Sequence, residues 1–120
     1  MNEQILIIED EDAARAIMCR TLKRAGFDVL SASHGEAGVA LAMQHRETLR
    51  AVITDIVLPG ASGTNVSDVM QRIVPKARVI LMSGYSREDV LPDGPREQLF
   101  IQKPFSNDDL IAVVRWAVAP

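Results

Sequence analysis

The sequence predicts a doubly wound α/β fold, a parallel sheet covered by helices on both faces. Three observations predict it: short runs of branched apolar residues without polar alternation, amphipathic stretches between them, and acidic or turn-forming residues just after each run. Strands buried on both faces lose the alternation of a half-exposed sheet. Strands separated by helices pair in parallel through right-handed crossovers.

Ile5 to Ile8 is the first such run, bounded by the acids Glu9 to Asp12. From Ala13 to Ala25 the positions Ala14, Ile17, Met18, Leu22 and Ala25 fall on one helical stripe, with Arg15, Arg20, Lys23 and Arg24 mostly elsewhere, and Gly26 stops the helix. Phe27 to Ala32 reads as a second strand, and Glu36 to His45 as a second helix with Ala37, Ala40 and Leu41 inward. Ala51 to Ile53 leads into Thr54 and Asp55, the turn formers Pro59, Gly60 and Gly63 follow, and a helix runs from about Thr64 to Ile73.

Val79 to Met82 is the fourth strand, ending at Ser83 and Gly84. The segment from Ser86 to Gln98 carries Pro92, Gly94 and Pro95, which cut its helix to little more than a turn. Leu99 to Gln102 is the fifth strand, ending at Lys103 and Pro104, and Ser106 or Asn107 caps a last helix from about Asp108 to Ala119. Its core face is Leu110, Val113, Val114 and Ala117. Ile111 and Val118 flank that face on one side and Trp116 on the other, so the outer surface is short of polar residues.

At 120 residues the chain is expected to form one domain over residues 1 to 120, and 48% hydrophobic against 24% charged residues supplies a core rather than disorder. A net charge of -3 without a basic stripe argues against nucleic acid as a partner. Cys19 alone makes no internal disulfide or cysteine metal cage, and His34 and His45 lack metal-ligand spacing and are expected at the surface. No apolar stretch reaches membrane-spanning length and MNEQ is no basic leader, so the expected setting is cytoplasmic and away from membranes.

Ligands of open parallel sheets bind beyond the carboxyl ends of the strands. Glu9, Asp10, Asp55, Ser83 and Lys103 stand at those ends. Carboxylates about 4 Å apart at an effective dielectric near 20 repel by roughly 4 kcal/mol per pair, so three together need a cation or a proton. All-oxygen ligands suit Mg²⁺ or Mn²⁺, and zinc would want nearby His or Cys.

Four segments then occur in order, each at an expected strand end: IIEDE at 7 to 11, ITDIVLPGASG at 53 to 63, LMSGY at 81 to 85 and FIQKPF at 100 to 105. Through them the sequence resembles the receiver domain of two-component response regulators over essentially the whole chain. The resemblance implies a flavodoxin-like strand order 2-1-3-4-5 and a phosphorylation-dependent signalling switch, catalytic only toward its own modification. By it, Asp55 takes a phosphoryl group from a sensor histidine kinase or a histidine phosphotransfer protein. Glu9, Asp10, Asp55 and the backbone carbonyl of Val57 hold Mg²⁺, Ser83 and Lys103 bond phosphoryl oxygens, and Phe100 occupies the aromatic switch position. The downstream protein is not named by the sequence.

The sequence departs from the commonest family pattern in several places. Glu9 replaces a more frequent aspartate, Phe100 replaces a tyrosine and so has no phenol, and Val57 and Tyr85 occupy positions that tune the lifetime of the acyl phosphate. An apolar Val57 cannot orient water, and the Tyr85 ring is expected to shield the phosphoryl group. The apolar last helix, with the Phe100 edge, is expected to meet a protein partner, a second copy or a kinase domain.

Three rivals are separated by particular residues. A haloacid-dehalogenase-type phosphohydrolase wants a second aspartate where Val57 stands. A flavodoxin-type electron carrier wants a hydroxyl-rich loop where EDEDA would repel the flavin phosphate. A non-phosphorylated receiver-like binding module is disfavoured because the acids, the hydroxyl and the lysine are all present.

Overall fold

The computed structural model describes residues 2–56, 63–94 and 96–120, with the side chains of 63–65 excepted. Val57, Pro59, Gly60 and Pro95 therefore lie outside the described residues. The elements follow in the order β1 (Gln4–Ile8), α1 (Asp12–Arg24), β2 (Asp28–Ala32), α2 (Gly35–Gln44), β3 (Leu49–Asp55), α3 (Gly63–Ile73), β4 (Arg78–Ser83), α4 (Arg87–Val90), β5 (Leu99–Gln102) and α5 (Asn107–Val118). All neighbouring strands are parallel, in the order β2-β1-β3-β4-β5, as the resemblance implies.

The two-residue period of the strands divides the core between the two faces of the sheet. Ile5, Ile7, Ile53, Ile80, Met82 and Ile101 point to one face and meet Met18 and Leu22 of α1 and Leu110, Val114 and Ala117 of α5. Leu6, Ile8, Val52, Val79 and Leu81 point to the other and meet Ala42 of α2 and Val66 and Met70 of α3. The apolar runs lack alternation because both directions are interior. β2, at an edge, is less buried than the central strands.

Helix ends follow their local chemistry. Gly26 has φ +100°, in the left-handed region that favours glycine, and closes α1: its amide donates to the Lys23 carbonyl at 3.0 Å, and the Phe27 amide donates to the Leu22 carbonyl at 3.1 Å. Ser106 is the cap of α5, its hydroxyl accepting from the Asp109 amide at 3.0 Å. α4 is a single turn, as expected of a segment so rich in Pro and Gly.

Three expectations are corrected. Ile17 is not an inner residue of α1 but 47% exposed; the buried residues are Met18, Thr21 and Leu22, so the inward stripe is narrower than apolar composition suggests. In α2 the buried residues are Gly35, Gly38 and Ala42, whereas Ala40 is exposed and Ala37 and Leu41 are half-buried. The helix turns its glycines to the sheet because it crosses Ile8 closely: a Cβ at Gly38 would stand 2.8 Å from Ile8 Cγ1. Trp116 and Phe100 do not form one apolar surface, since Phe100 packs on the α2–α3 face of the sheet and α5 packs on the other.

Candidate functional site

Strand register assembles the acids. Ile8 pairs with Thr54, so the next residues, Glu9 and Asp55, leave adjacent central strands side by side. Asp10 follows at the turn into α1, and oxygens of Glu9, Asp10 and Asp55 all lie within 4.8 Å of one another. On the other side of β3, Asp55 pairs with Met82 and Ser83 pairs with Gln102. The Lys103 amide then donates to the Ser83 carbonyl at 2.7 Å, which ties the end of β5 to the end of β4. Lys103 is joined to Pro104 by a cis peptide bond.

One ammonium bridges two of the three acids. Lys103 Nζ donates to Glu9 Oε1 at 2.5 Å and to Asp55 Oδ2 at 2.6 Å, distances of charge-assisted hydrogen bonds. The side chains of Glu9, Asp55 and Lys103 are 1%, 13% and 30% exposed, so this contact is shielded from solvent far more than an ordinary surface ion pair. Burial opposes the charged form of Lys103, yet hydrogen bonds and charge from Asp55 and Glu9 outweigh it and hold the ammonium above its usual range. Burial pushes the Glu9 carboxyl up, and the lysine offsets only part of that rise.

The two oxygens of Glu9 are both engaged. Oε1 accepts from Lys103, and Oε2 accepts from the Glu11 amide at 3.2 Å. Asp10, one residue on, is exposed. Ser83 is buried, and its Oγ accepts from the Tyr85 amide at 3.0 Å, which leaves the hydroxyl proton available as a donor. A groove of about 520 Å³, lined by Glu9, Ile17, Gly84, Lys103 and Phe105 among others, runs alongside the bridge.

The structure thus brings together Glu9, Asp10, Asp55, Ser83 and Lys103 at the carboxyl ends of the strands. Val57 lies outside the described residues. Phe100 does not join the cluster; it is half-buried on β5 against the α2–α3 side of the core. Arg15 was not singled out by the sequence. Its guanidinium Nη1 donates to the Glu9 carbonyl at 2.8 Å and Nη2 meets Asp12 Oδ1 at 2.6 Å, pinning the acidic turn to the first turn of α1. The available signal was the Asp12 and Arg15 spacing of three residues, which places opposite charges on one helical face. His34, expected as a plain surface residue, is exposed but also caps α2, its Nδ1 accepting from the Ala37 amide at 3.3 Å.

An all-oxygen donor set of one exposed and two more deeply placed carboxylates fits a hard divalent cation, since the one ammonium in contact with the cluster reaches Glu9 and Asp55 and not Asp10. Among the described residues no helix is long and apolar enough to cross a membrane.

Comparison with known proteins agrees with this geometry. The family model described as the response regulator receiver domain matches residues 5–115. A cyclic di-GMP phosphodiesterase of Thermotoga maritima is 32% identical over 87 residues, 72% of this chain but only 23% of that protein. Sporulation initiation phosphotransferase F of Bacillus subtilis is 26% identical over 117 residues, covering 96% of this chain and 93% of that one. Among solved structures, a response regulator receiver domain protein from Clostridium thermocellum superposes with a TM-score of 0.87 at 26% identity, covering 96% and 93% of the two chains. Neither the hydrolase nor the flavin-carrier reading finds support in these similarities. A family match over nearly the whole sequence, on a sheet wound in the family's order, makes the chain a member of the response regulator receiver domain family, the phosphorylation-dependent signalling switches of two-component systems.

Proposed function

We propose that Asp55 is the phosphoacceptor of this receiver, and that the chain acts on no other substrate than its own aspartate. The observation that carries this is the ion bridge from Lys103 to Asp55 Oδ2, beside two further carboxylates. An Asp55 oxygen forms a bond to phosphorus as the phosphorus–nitrogen bond of a donor phosphohistidine breaks, and the imidazole leaves with the electron pair. The donor is a sensor histidine kinase or a histidine phosphotransfer protein.

The obstacle is repulsion between an anionic nucleophile and an anionic phosphoryl group. Lys103 reduces it from one side by sharing the Asp55 charge. Asp10, Asp55, Glu9 and the Val57 carbonyl would hold Mg²⁺, or Mn²⁺, on the other, and that ion when bound supplies neutralising charge to the phosphoryl oxygens. Once Asp55 is an acyl phosphate, its loss of a carboxylate charge frees Lys103 to pair with a phosphoryl oxygen, and the Ser83 hydroxyl donates to another. Both residues then pull the ends of β4 and β5 toward Asp55, and their shared backbone bond moves the two loops together.

Phe100, three residues before Lys103 on β5 and paired with Leu81, occupies the switch position. The partner surface is the exposed side of α5, where Trp116 is 69% exposed, and it is separate from Phe100, which packs on the other face of the sheet. A second copy of the chain or a kinase domain contacts that side more tightly when Asp55 is phosphorylated. We also propose that residues 1 to 120 act as one receiver unit and work in the cytoplasm.

The test is mobility on a phosphate-binding gel after incubation with acetyl phosphate and Mg²⁺. Wild type should shift, and Asp55→Asn should not. Mg²⁺-dependent labelling of Asp55→Asn at the wild-type rate would overturn the assignment.

A further inference from the structure

Thr54 stands directly before Asp55 on β3, and it is fully buried. By the two-residue period it shares a face with Val52, toward α2 and α3, and its partners across the sheet are Ile8 and Leu81. These neighbours are all apolar. Valine has the same shape and the same preference for strands, and it would fill this place without a hydroxyl to strip of water. Packing therefore explains a branched residue at 54 but not its oxygen.

The oxygen has its partner at the site. Thr54 Oγ1 donates to the Asp55 carbonyl at 3.1 Å, and the Ile56 amide donates to the Met82 carbonyl at 3.0 Å. These are the two ends of one planar peptide group, the one that leaves Asp55. The pairing of β1 with β3 ends at Ile8 and Thr54, so the hydroxyl adds its bond where that ladder stops. Holding this peptide fixes the torsion about the Cα–C bond of Asp55, and with it the direction in which the side chain leaves the strand. Lys103 Nζ holds the far end, Oδ2, at 2.6 Å. The carboxylate is thus held from both ends of its residue.

We infer that Thr54 is a positioning residue for Asp55, its hydroxyl fixing the peptide that aims the carboxylate at the phosphoryl group and the cation. The inference rests on the proposed role of Asp55. It adds a residue that touches neither donor nor phosphate, since Thr54 is closed to solvent. The same peptide leads to Val57, whose carbonyl would join the ligands of the cation, so the hydroxyl bears on both halves of the site. A misaimed nucleophile loses rate steeply with displacement, which gives one buried bond its leverage.

The experiment compares the full chain with Thr54→Val and Thr54→Ser by the initial rate of labelling with acetyl phosphate and Mg²⁺, by Mg²⁺ affinity from amide NMR, and by the urea midpoint. Thr54→Val keeps the shape and loses the bond. It should be labelled about tenfold more slowly and bind Mg²⁺ about threefold more weakly, with a midpoint close to wild type. Thr54→Ser keeps the bond and loses a methyl, so it should show a lower midpoint with rate and affinity within about twofold of wild type. Thr48→Val, which removes a hydroxyl bonded to Gln4 at the other end of β3, should change neither rate nor affinity. A merely structural residue would make the rate follow the midpoint. Wild-type labelling and Mg²⁺ binding in Thr54→Val, or equal losses in Thr54→Ser, would overturn the inference. Should Thr54→Val not fold, Thr54→Ser against Thr54→Ala makes the same comparison, since the two differ by the hydroxyl alone. If the wild type itself takes no label, the reading of Asp55 as phosphoacceptor fails, and the Mg²⁺ affinities alone decide the role of Thr54.

Discussion

Glu9 and Asp10 are adjacent in the chain and carry the same charge, yet the fold treats them oppositely. Glu9 ends the direction of β1, is 1% exposed, and spends both oxygens on Lys103 and the Glu11 amide. Asp10 lies in the turn and is exposed. The difference teaches that an acidic pair at a strand end divides into an anchor and an open ligand. The extra methylene of Glu9 gives the anchor its reach to a lysine that arrives from the end of β5, with β3 and β4 lying between the two strands.

The sharpest way to break this division is to remove the cation that one acid holds. Lys103→Met leaves Glu9 and Asp55 facing each other without their ammonium. At neutral pH it should lower stability by about 2 kcal/mol, less than for a fully buried pair because the lysine is part-exposed. Urea unfolding measures this, and millimolar Mg²⁺ should restore part of the loss. A variant as stable as wild type at every Mg²⁺ concentration would show that the bridge does not matter.

A smaller effect sharpens the contrast. Burial raises the Glu9 carboxyl above 4.5, so the folded protein holds that proton more tightly than the unfolded chain. Its contribution to stability is therefore full below 4.5 and is lost as pH rises through the folded value. Carboxyl-carbon NMR should find the Glu9 midpoint above the ordinary glutamate value, and Glu9→Gln should flatten this part of the pH profile. A Glu9 midpoint below 4.5 would mean that Lys103, not burial, governs the group.

How much of this was legible in the sequence depends on whether a contact is local or made by register. The order of elements, the strand ends and the acids upon them follow from apolar runs and the residues that terminate them. Ser106 and Gly26 also announce themselves, because capping is a property of a few neighbouring residues. Ile17, Ala40 and the orientation of α2 were not legible, since a helical stripe of small and apolar residues is wider than the contact and Gly38 against Ile8 is a meeting across the fold. The bridge from Lys103 to Glu9 joins residues 94 apart and depends on the strand order that sets β3 and β4 between β1 and β5. The opposite placement of Phe100 and Trp116 required only the two-residue period of β5 together with the face on which α5 packs.

Arg15→Ala should cost about 1 kcal/mol, since it removes one partly buried hydrogen bond to the Glu9 carbonyl and an exposed pair with Asp12. Thermal unfolding checks the size, and Mg²⁺ affinity should fall slightly because the acidic turn loosens. The smallest effect concerns Tyr85, which is 67% exposed beside Ser83. If its ring shields the phosphoryl group, Tyr85→Ala should hasten decay of the phosphoprotein a few-fold, about 1 kcal/mol or less in the barrier. An unchanged decay rate would remove Tyr85 from the account.

The division between the two acids is tested most directly by Mg²⁺ titration of the wild type, Asp10→Asn and Glu9→Gln, followed by amide NMR. The account predicts shifts at residues 9, 10 and 55 in the wild type, an affinity reduced about tenfold or more in Asp10→Asn, and a distinctly smaller reduction in Glu9→Gln. Equal losses in the two variants, or a larger loss in Glu9→Gln, would contradict it.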